Sequence, residues 1–267
     1  MKNLLFPILA LIISATSLQA QEAINPADHY PLAFIFADGV NLRSAPSLEA
    51  KIVANVGAGT PIRLDGNVGT DTINDKVSYW DKIYYKGTVA YVWHPLITYH
   101  VLRSGKNPDY YFLLGEGDSL WHSKIKVIHK GKTVQQISFQ GIKDYRGVDQ
   151  YINKGAMGVP LVNDLIYVHW SAYSCGQMGG YKIFAFDGNR LHYFGEDSGV
   201  GDGPYFSSLS LITPSDPEGV KGVVIIKNRD GEMLYPEEGQ NEQEPSVKYN
   251  VNTTIRYRWN GNKLVKI

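Results

Sequence analysis

The only cysteine of the chain, Cys175, lies in a stretch of small and polar residues that runs from His169 to Gly180. A cysteine acts as a nucleophile when a nearby base makes the thiolate and a third group orients that base. Only His192 follows Cys175 in the sequence, 17 residues later. The thiol also has no partner for an internal disulfide. We therefore expect a buried or unreactive thiol, and we predict no catalytic residue.

The sequence around Cys175 fits neither of two classes of cysteine enzyme that act on bacterial cell walls. The papain-like endopeptidases place the nucleophile at the start of a helix, whereas Cys175 follows a predicted strand. The cysteine transpeptidases carry Ser-x-Gly-Cys with an arginine shortly after it, whereas this chain reads Ser174-Cys175-Gly176 and has no such arginine. A wall-modifying enzyme with its catalysis in residues 105–267 stays an alternative interpretation.

Metal and cofactor motifs offer no better candidates. Glu196, Asp197 and Asp202 lie in a glycine-rich segment from Gly195 to Gly203, but their spacing is not that of a helix–loop–helix calcium site, so we expect a solvated loop. The seven histidines show no pair at zinc-ligand spacing. Glycine motifs for phosphate and basic–aromatic motifs for nucleic acid are also absent from the sequence. We predict no metal and no cofactor.

The first twenty residues have the pattern of a secretory signal peptide. Lys2 precedes an almost wholly apolar run from Leu4 to Ile13, and small residues follow as far as Ala20. This run is shorter than the ~20 apolar residues of a membrane span. We expect cleavage after Ala20 and a periplasmic or secreted product with no membrane span; an uncleaved anchor is the alternative.

The charge of the mature chain is nearly balanced. Removing residues 1–20 takes away Lys2 and no acid, which leaves 25 basic against 26 acidic residues and a formal net charge of −1. Such a balance argues against binding nucleic acid or an anionic membrane through bulk charge. The remaining length is sufficient for two modest hydrophobic cores.

Short strands with tight turns dominate residues 38–64. Val40 and Leu42 alternate with polar neighbours, which is the two-residue period of a strand with one buried face. Pro46 interrupts this pattern, and Gly57-Ala58-Gly59 makes a later turn. Three short strands in under thirty residues indicate a small barrel rather than a helical domain.

This segment and its continuation resemble the bacterial SH3 domain (SH3b type) over about residues 34–100. Four motifs of that family, N-x-R-x-x-P, Gly-Thr, Trp-x-Lys-apolar and Gly-Tyr-Val, have counterparts at Asn41 to Pro46, Gly59-Thr60, Trp80 to Ile83 and Ala90 to Val92. Ala90 replaces the family's glycine in the last motif. The resemblance implies a small β-barrel that acts as a binding module, which we assign to residues 34–103.

Aromatic residues are concentrated in the second half of this predicted barrel. They are Tyr79, Trp80, Tyr84, Tyr85, Tyr91 and Trp93. A small barrel cannot bury them all, and those left outside would offer flat, partly polar faces to a peptide or a sugar. We assign Trp80 to the core and expect the polar segment Asp65 to Ser78 to be a surface loop beside the groove. The predicted ligand-binding residues are Asn41, Arg43, Tyr85, Tyr91 and Trp93.

Residues 110–267 indicate a second, larger antiparallel β domain, either a sandwich or an open barrel. Lysines alternate with apolar residues from Lys124 to Val127, and a turn at Lys130-Gly131 precedes a returning strand. Three further dipeptides favour the positive φ angles of hairpin turns: Asp187-Gly188, Asp230-Gly231 and Asn260-Gly261. The longest helical pattern is a turn or two at Tyr145 to Lys154, so the sequence predicts an all-β protein.

The stretch from Ser171 to Tyr181, followed by Phe184 to Gly188, is similar to the serine-glycine loop of periplasmic lysozyme inhibitors. Those proteins are β-rich and insert this loop into the lysozyme cleft, so the resemblance implies inhibition of lysozyme. A glycine-rich hairpin needed only for its backbone geometry is the alternative.

Taken together, these features predict an exported, non-enzymatic protein of the cell envelope. Its SH3-like module would bind peptidoglycan peptide, or another envelope ligand such as a protein. The alternatives are the wall-modifying enzyme and the lysozyme inhibitor described above.

Overall fold

The computed structural model describes residues 31–116, 122–140, 151–171, 179–235 and 246–267. Within these ranges the chain forms three antiparallel β-sheets of seven, four and eight strands, together with a short 3-10 turn at His94–Leu96. The prediction of an all-β protein is confirmed. No helix in the described ranges is long and apolar enough to cross a membrane.

The first sheet curls around one hydrophobic core. Its strands are β1 (Leu32–Ile35), β2 (Val40–Arg43), β3 (Ile52–Val56), β4 (Pro61–Ile73), β5 (Lys76–Tyr85), β6 (Thr88–Trp93) and β7 (Ile97–Thr98), in the order β3-β2-β6-β5-β4-β1-β7. Val40 and Leu42 are buried in this core, as their alternation with polar residues predicts. Ile83 and Val92 contribute from β5 and β6, so the core draws on strands from both halves of the barrel.

The polar segment from Asp65 to Ser78 is a hairpin arm and not the surface loop that its composition indicates. β4 and β5 stay paired from Thr70 opposite Tyr79 to Ile73 opposite Lys76. Asn74 and Asp75 form the tip with φ angles of 51° and 62°, which are those of a turn that matches the twist of paired strands. The arm therefore extends the sheet beyond the barrel.

The remaining strands form two sheets. The second sheet contains β8 (His100–Arg103), β9 (Tyr110–Glu116), β10 (His122–His129) and β11 (Lys132–Gln140), in the order β11-β10-β9-β8. The third sheet contains, in sequential order, β12 (Tyr151–Asn153), β13 (Asp164–Ser171), β14 (Gly179–Phe186), β15 (Leu191–Asp202), β16 (Tyr205–Ile212), β17 (Val224–Leu234), β18 (Ser246–Trp259) and β19 (Leu264–Lys266). The chain thus passes from the first sheet into the second at Tyr99.

The second sheet lies between the barrel and the third sheet. On one face, Phe112 and Ile125 share a core with Ile166 and Phe184 of the third sheet, which makes these two sheets a sandwich. On the other face, Leu113 packs in a cluster with residues of the barrel. Because side chains alternate along a strand, β9 and β10 must supply apolar residues on both faces to fill this position.

The glycine dipeptides of the third sheet have two different roles. Asp187-Gly188 and Asn260-Gly261 lie in hairpin turns, as predicted. Asp230-Gly231 is instead part of β17, at a bulge in its pairing with β18, so the predicted turn is wrong there. A Cβ on Gly231 would lie 2.4 Å from the carbonyl oxygen of Lys248, so this position needs glycine for close approach of the two backbones.

Two further segments of the third sheet are strands where the sequence predicts a loop or a helical turn. The segment from Gly195 to Asp202, expected to be a loop, belongs to β15 and pairs with β14 and β16. Tyr151–Asn153 is a strand and not the predicted helical turn, and residues 145–150 of that prediction lie outside the described residues. Cys175 and most of the serine-glycine stretch also lie outside them, as do the signal peptide and residues 236–245.

The barrel and the second sheet meet in a small apolar interface. Phe36 and Ala58 of the barrel form a buried cluster with Leu113 and Ile128 of the second sheet. Gly115 lies directly against this cluster, because a Cβ placed on it would be 2.7 Å from two ring atoms of Phe36. The two sheets therefore approach each other too closely for even a methyl group at residue 115.

We expect Gly115→Ala to destabilise the protein by about 1–3 kcal/mol, because the added methyl group must displace the ring of Phe36. The free energy of unfolding in urea measures this change. Gly57→Ala is the matched control: that position is open to solvent, and its change should stay within about 0.5 kcal/mol. Equal stabilities of the two variants would show that the barrel does not pack on the second sheet in this way.

Candidate functional site

The outer face of the barrel carries two rows of side chains across neighbouring strands. Residues opposite each other in an antiparallel pair point to the same side of the sheet. Arg43 lies opposite Tyr91, and Tyr91 lies opposite Lys82, which forms one row. Trp93 lies opposite Trp80 in the next row. The residues between them, such as Val92, point into the core of the barrel.

A cavity of about 610 Å³ opens on this outer face. Its lining consists of the loop before β2, part of β2, the residue Leu48, the tip of the hairpin arm, the two tryptophans and the 3-10 turn. The lining residues are Ala37, Asp38, Gly39, Val40, Asn41, Arg43, Leu48, Ile73, Asn74, Lys76, Trp80, Trp93, Pro95 and Leu96. The hairpin arm and β2 thus both contribute to the walls of the cavity.

The structure brings three of the five predicted site residues together. Asn41, Arg43 and Trp93 all line the cavity. Tyr91 lies on the same face, opposite Arg43, but outside the lining. Tyr85 packs against the barrel core, and the ammonium group of Lys86 lies 5.3 Å from the centre of its ring.

Two tryptophan rings form the apolar floor of the cavity. Trp80 and Trp93 pack edge to face with ring centres 5.6 Å apart, and both are almost fully buried. The indole N–H of Trp80 donates to Oδ2 of Asp71 at 3.3 Å, which ties the floor to the hairpin arm. The floor is therefore held in place on two sides.

The polar side chains of β2 are anchored by their neighbours. Nη1 of Arg43 donates to the carbonyl oxygen of Ala50 at 2.8 Å. Asn55 donates through Nδ2 to Oδ1 of Asn41 at 2.8 Å and to the carbonyl oxygen of Gly39 at 3.2 Å. A guanidinium group has five N–H donors, so the bond to Ala50 uses one of those of Arg43.

The carboxylate of the cavity wall, Asp38, is bound by the second sheet. Its Oδ2 accepts a hydrogen bond from Nζ of Lys126 at 2.7 Å, and its Oδ1 accepts one from Oγ1 of Thr133 at 2.8 Å. Partial burial raises the pKa of Asp38, but the bonds from Lys126 and Thr133 outweigh this effect and hold the pKa below its usual value. The negative charge of Asp38 is thereby compensated from outside the cavity.

A buried hydrogen-bond chain supports the remaining wall. Asp81, 1% exposed, accepts a bond through Oδ2 from Nδ1 of His94 at 2.8 Å, and Nε2 of His94 lies 2.8 Å from the hydroxyl of Tyr79. This chain fixes the start of the 3-10 turn whose following residues line the cavity. Burial, with added effects of Asp81 and Tyr79, raises the pKa of the adjacent Tyr99 to about 12.

The described lining combines an aromatic floor with the guanidinium group of Arg43. Lys76 of the hairpin arm also belongs to the lining and has an interaction of its own, and Asp38 is compensated by Lys126. Guanidinium groups pair with carboxylates in a planar, bidentate geometry. The cavity is therefore suited to an extended polar chain that carries a carboxylate.

Sequence reasoning missed the arm as a wall and Trp80 as part of the floor. The arm residues in the lining are Ile73, Asn74 and Lys76, within a segment that reads as a loop. The signal that could have identified them is the Asn74-Asp75 pair between β-branched residues, which is typical of a hairpin tip.

A second group of titratable residues lies on the third sheet. His169, Tyr181 and Asp197 are directly opposite one another on three adjacent strands. Lys154 places its ammonium group 4.2 Å from the ring centre of Tyr167 beside them. Burial raises the pKa of Asp197, although the N–H of Leu211 and the charge of Lys154 oppose the effect. The described residues contain no group of three or more His, Cys, Asp or Glu that could hold a metal ion.

Comparison with known proteins identifies the part of the chain that contains the cavity. The family described as the bacterial SH3 domain matches residues 38–98. No curated protein and no solved structure matches the chain. The matched range covers β2 to β7, the two tryptophans and the hairpin arm, so it includes nearly the whole lining of the cavity. Residues 38–98 of this chain are therefore a bacterial SH3 domain.

Proposed function

We propose that this protein is an exported, non-enzymatic binding protein of the cell envelope, and that its SH3 domain binds the peptide part of peptidoglycan in the cavity on its outer face. The observation that carries the proposal is the position of the cavity. It lies on a bacterial SH3 domain and brings together Asn41, Arg43 and Trp93.

The charges of the lining favour a ligand with carboxylates. Arg43 places a guanidinium group in the lining, and the acidic side chain of the described lining, Asp38, is compensated by Lys126. A peptide that crosses the cavity would place a carboxylate at Arg43 and its apolar parts over Trp80 and Trp93. Peptide chains of peptidoglycan carry several free carboxylates and few large side chains, which fits a groove of this size.

Recognition without catalysis in this cavity is supported by the chemistry of its lining. Catalysis by an activated nucleophile needs a base within hydrogen-bond reach of the attacking group. Among the described residues, the lining contains no histidine, cysteine, serine or threonine. The carboxylate of Asp38, which belongs to it, is bound to Lys126 and Thr133. The cavity therefore supports recognition and not bond cleavage.

Sedimentation of the mature protein with purified peptidoglycan tests the proposal. We expect the protein to bind, and we expect Arg43→Gln to weaken binding about tenfold or more, because a charge-assisted hydrogen bond contributes about 1.5–3 kcal/mol. Lys51→Gln is the matched control, since it removes one exposed cation eight residues after Arg43 but lies outside the lining. Both variants should keep the melting temperature of the unaltered protein within a few degrees.

Three outcomes would contradict the proposal. The first is no sedimentation of the unaltered protein, and the second is equal binding by the Arg43 and Lys51 variants. The third is release of soluble fragments from labelled peptidoglycan by the protein, which would instead favour the wall-modifying enzyme. Inhibition of lysozyme by excess protein, without peptidoglycan binding, would favour the lysozyme inhibitor.

Export with cleavage of the signal peptide predicts the mass of the mature protein. Expression of the full chain in a bacterial host should yield a periplasmic or secreted protein that begins at Gln21, because the apolar run and the small residues before it fit a cleaved signal peptide. Intact-mass spectrometry of each cell fraction measures this. A full-length product in the cytoplasm, or one held in the membrane, would contradict export as a free protein.

A further inference from the structure

We propose that Lys126 of the second sheet is a positioning residue for the cavity of the SH3 domain, so that the binding site extends functionally across the two sheets. The ligand named in this inference rests on the proposed function. The fixing of the cavity wall by Lys126 does not depend on that function. Lys126 lies 88 positions after Asp38, outside the range that matches the bacterial SH3 domain.

Burial of Lys126 is the first argument. The lysine side chain is only 7% exposed, whereas that of its partner Asp38 is 58% exposed. A buried ammonium group needs a close counter-charge, and Asp38 supplies it at 2.7 Å. The ammonium group also lies 5.3 Å from the ring centre of Phe36, two residues before Asp38. The pair thus fixes the segment that enters the cavity wall.

The position of Asp38 is the second argument. It is the start of the wall that continues through Gly39 to Asn41, and all four of these residues line the cavity. Thr133 of the neighbouring strand binds the other carboxylate oxygen, so two strands of the second sheet hold one side chain of the barrel. Loss of the bond from Lys126 removes the only one of these two anchors that carries a charge.

The charge balance of the cavity is the third argument. Lys126 compensates Asp38 without lining the cavity itself. Without the lysine, the carboxylate of Asp38 would repel an acidic ligand held by Arg43. The same side chain therefore fixes the wall and keeps it compatible with a carboxylate.

Lys126→Met tests the proposal, because methionine keeps the buried volume and removes the charge. We expect faster amide hydrogen exchange in residues 37–41 and about tenfold weaker sedimentation with peptidoglycan. Lys132→Met is the matched control on the adjacent strand; its side chain is exposed, and neither quantity should change. If Lys126→Met does not fold, Asp38→Asn replaces it in the test, because this change is made at an exposed side chain. We expect Asp38→Asn to speed the amide exchange of residues 37–41 as well.

The two readouts separate the possible failures. If exchange is faster in Lys126→Met but the unaltered protein does not sediment with peptidoglycan, the proposed ligand is wrong and the positioning role is still supported. Unchanged exchange would overturn the positioning role, whatever the binding. Faster exchange with unchanged binding would show that the wall does not serve the ligand, and would overturn the proposal as well.

The pH dependence of stability gives an independent check on this pair. Because the folded protein lowers the pKa of Asp38, the bond to Lys126 stabilises the fold fully above the ordinary aspartate pKa of about 3.9 and is lost as the pH falls through the lower folded value. Lys126 and Thr133 are the side chains that face this carboxylate among the described residues. We expect the difference in melting temperature between the unaltered protein and Asp38→Asn to be constant from pH 5 to 7 and to shrink below about pH 4. A difference that grows with acidity would contradict the assignment.

Discussion

The architecture depends on one constraint, which is that the second sheet must be apolar on both of its faces. A sheet with one solvated face alternates apolar and polar residues, whereas a sheet covered on both sides cannot. Phe112, Leu113 and Leu114 follow one another in β9 and are all fully buried. Phe112 and Leu114 pack toward the third sheet, and Leu113 packs toward the barrel. The position of the barrel on the rest of the molecule follows from this strand.

The same constraint explains why one end of the cavity lining is held by a distant part of the chain. Packing of Phe36 on Leu113 brings the loop before β2 against the second sheet. Another part of the lining comes from the hairpin arm, whose Asp71 binds the indole of Trp80. The barrel therefore supplies all the described lining residues, while the second sheet fixes one end of the lining. This division explains how a small domain can keep a cavity of this size open.

Local patterns in the sequence predict part of the barrel, because three of its six strand pairings join consecutive strands. Val40 and Leu42 are buried, as their alternation with polar residues predicts, and the predicted turn at Lys130-Gly131 has positive φ angles of 48° and 75°. The arm was not predicted, because its glycines and polar residues are typical of a loop and only the pairing across Asn74-Asp75 makes it a strand.

The site could be predicted only in part, because two of its features depend on how strands that are separate in the sequence pack and pair. Lys124 and Lys126 alternate with apolar residues, and this pattern predicts that both lysines face solvent. Lys126 is nevertheless buried against a carboxylate from another sheet. Tyr85 and Tyr91 look equivalent in the sequence, but the register of β5 and β6 turns Tyr85 toward the core and Tyr91 toward the outer face. A shift of one residue in a strand exchanges its two faces, and composition does not report that shift.

The hydrogen-bond chain of Asp81, His94 and Tyr79 has a consequence for the motion of the turn beside the cavity. Both ring nitrogens of His94 are engaged: Nδ1 lies 2.8 Å from Oδ2 of Asp81, and Nε2 lies 2.8 Å from the phenol oxygen of Tyr79. An imidazole held at both nitrogens cannot rotate without giving up a hydrogen bond, one of them to a carboxylate that is only 1% exposed. Asp81 and Tyr79 both belong to β5, so the first residue of the 3-10 turn is locked to that strand. The turn can therefore move only together with β5.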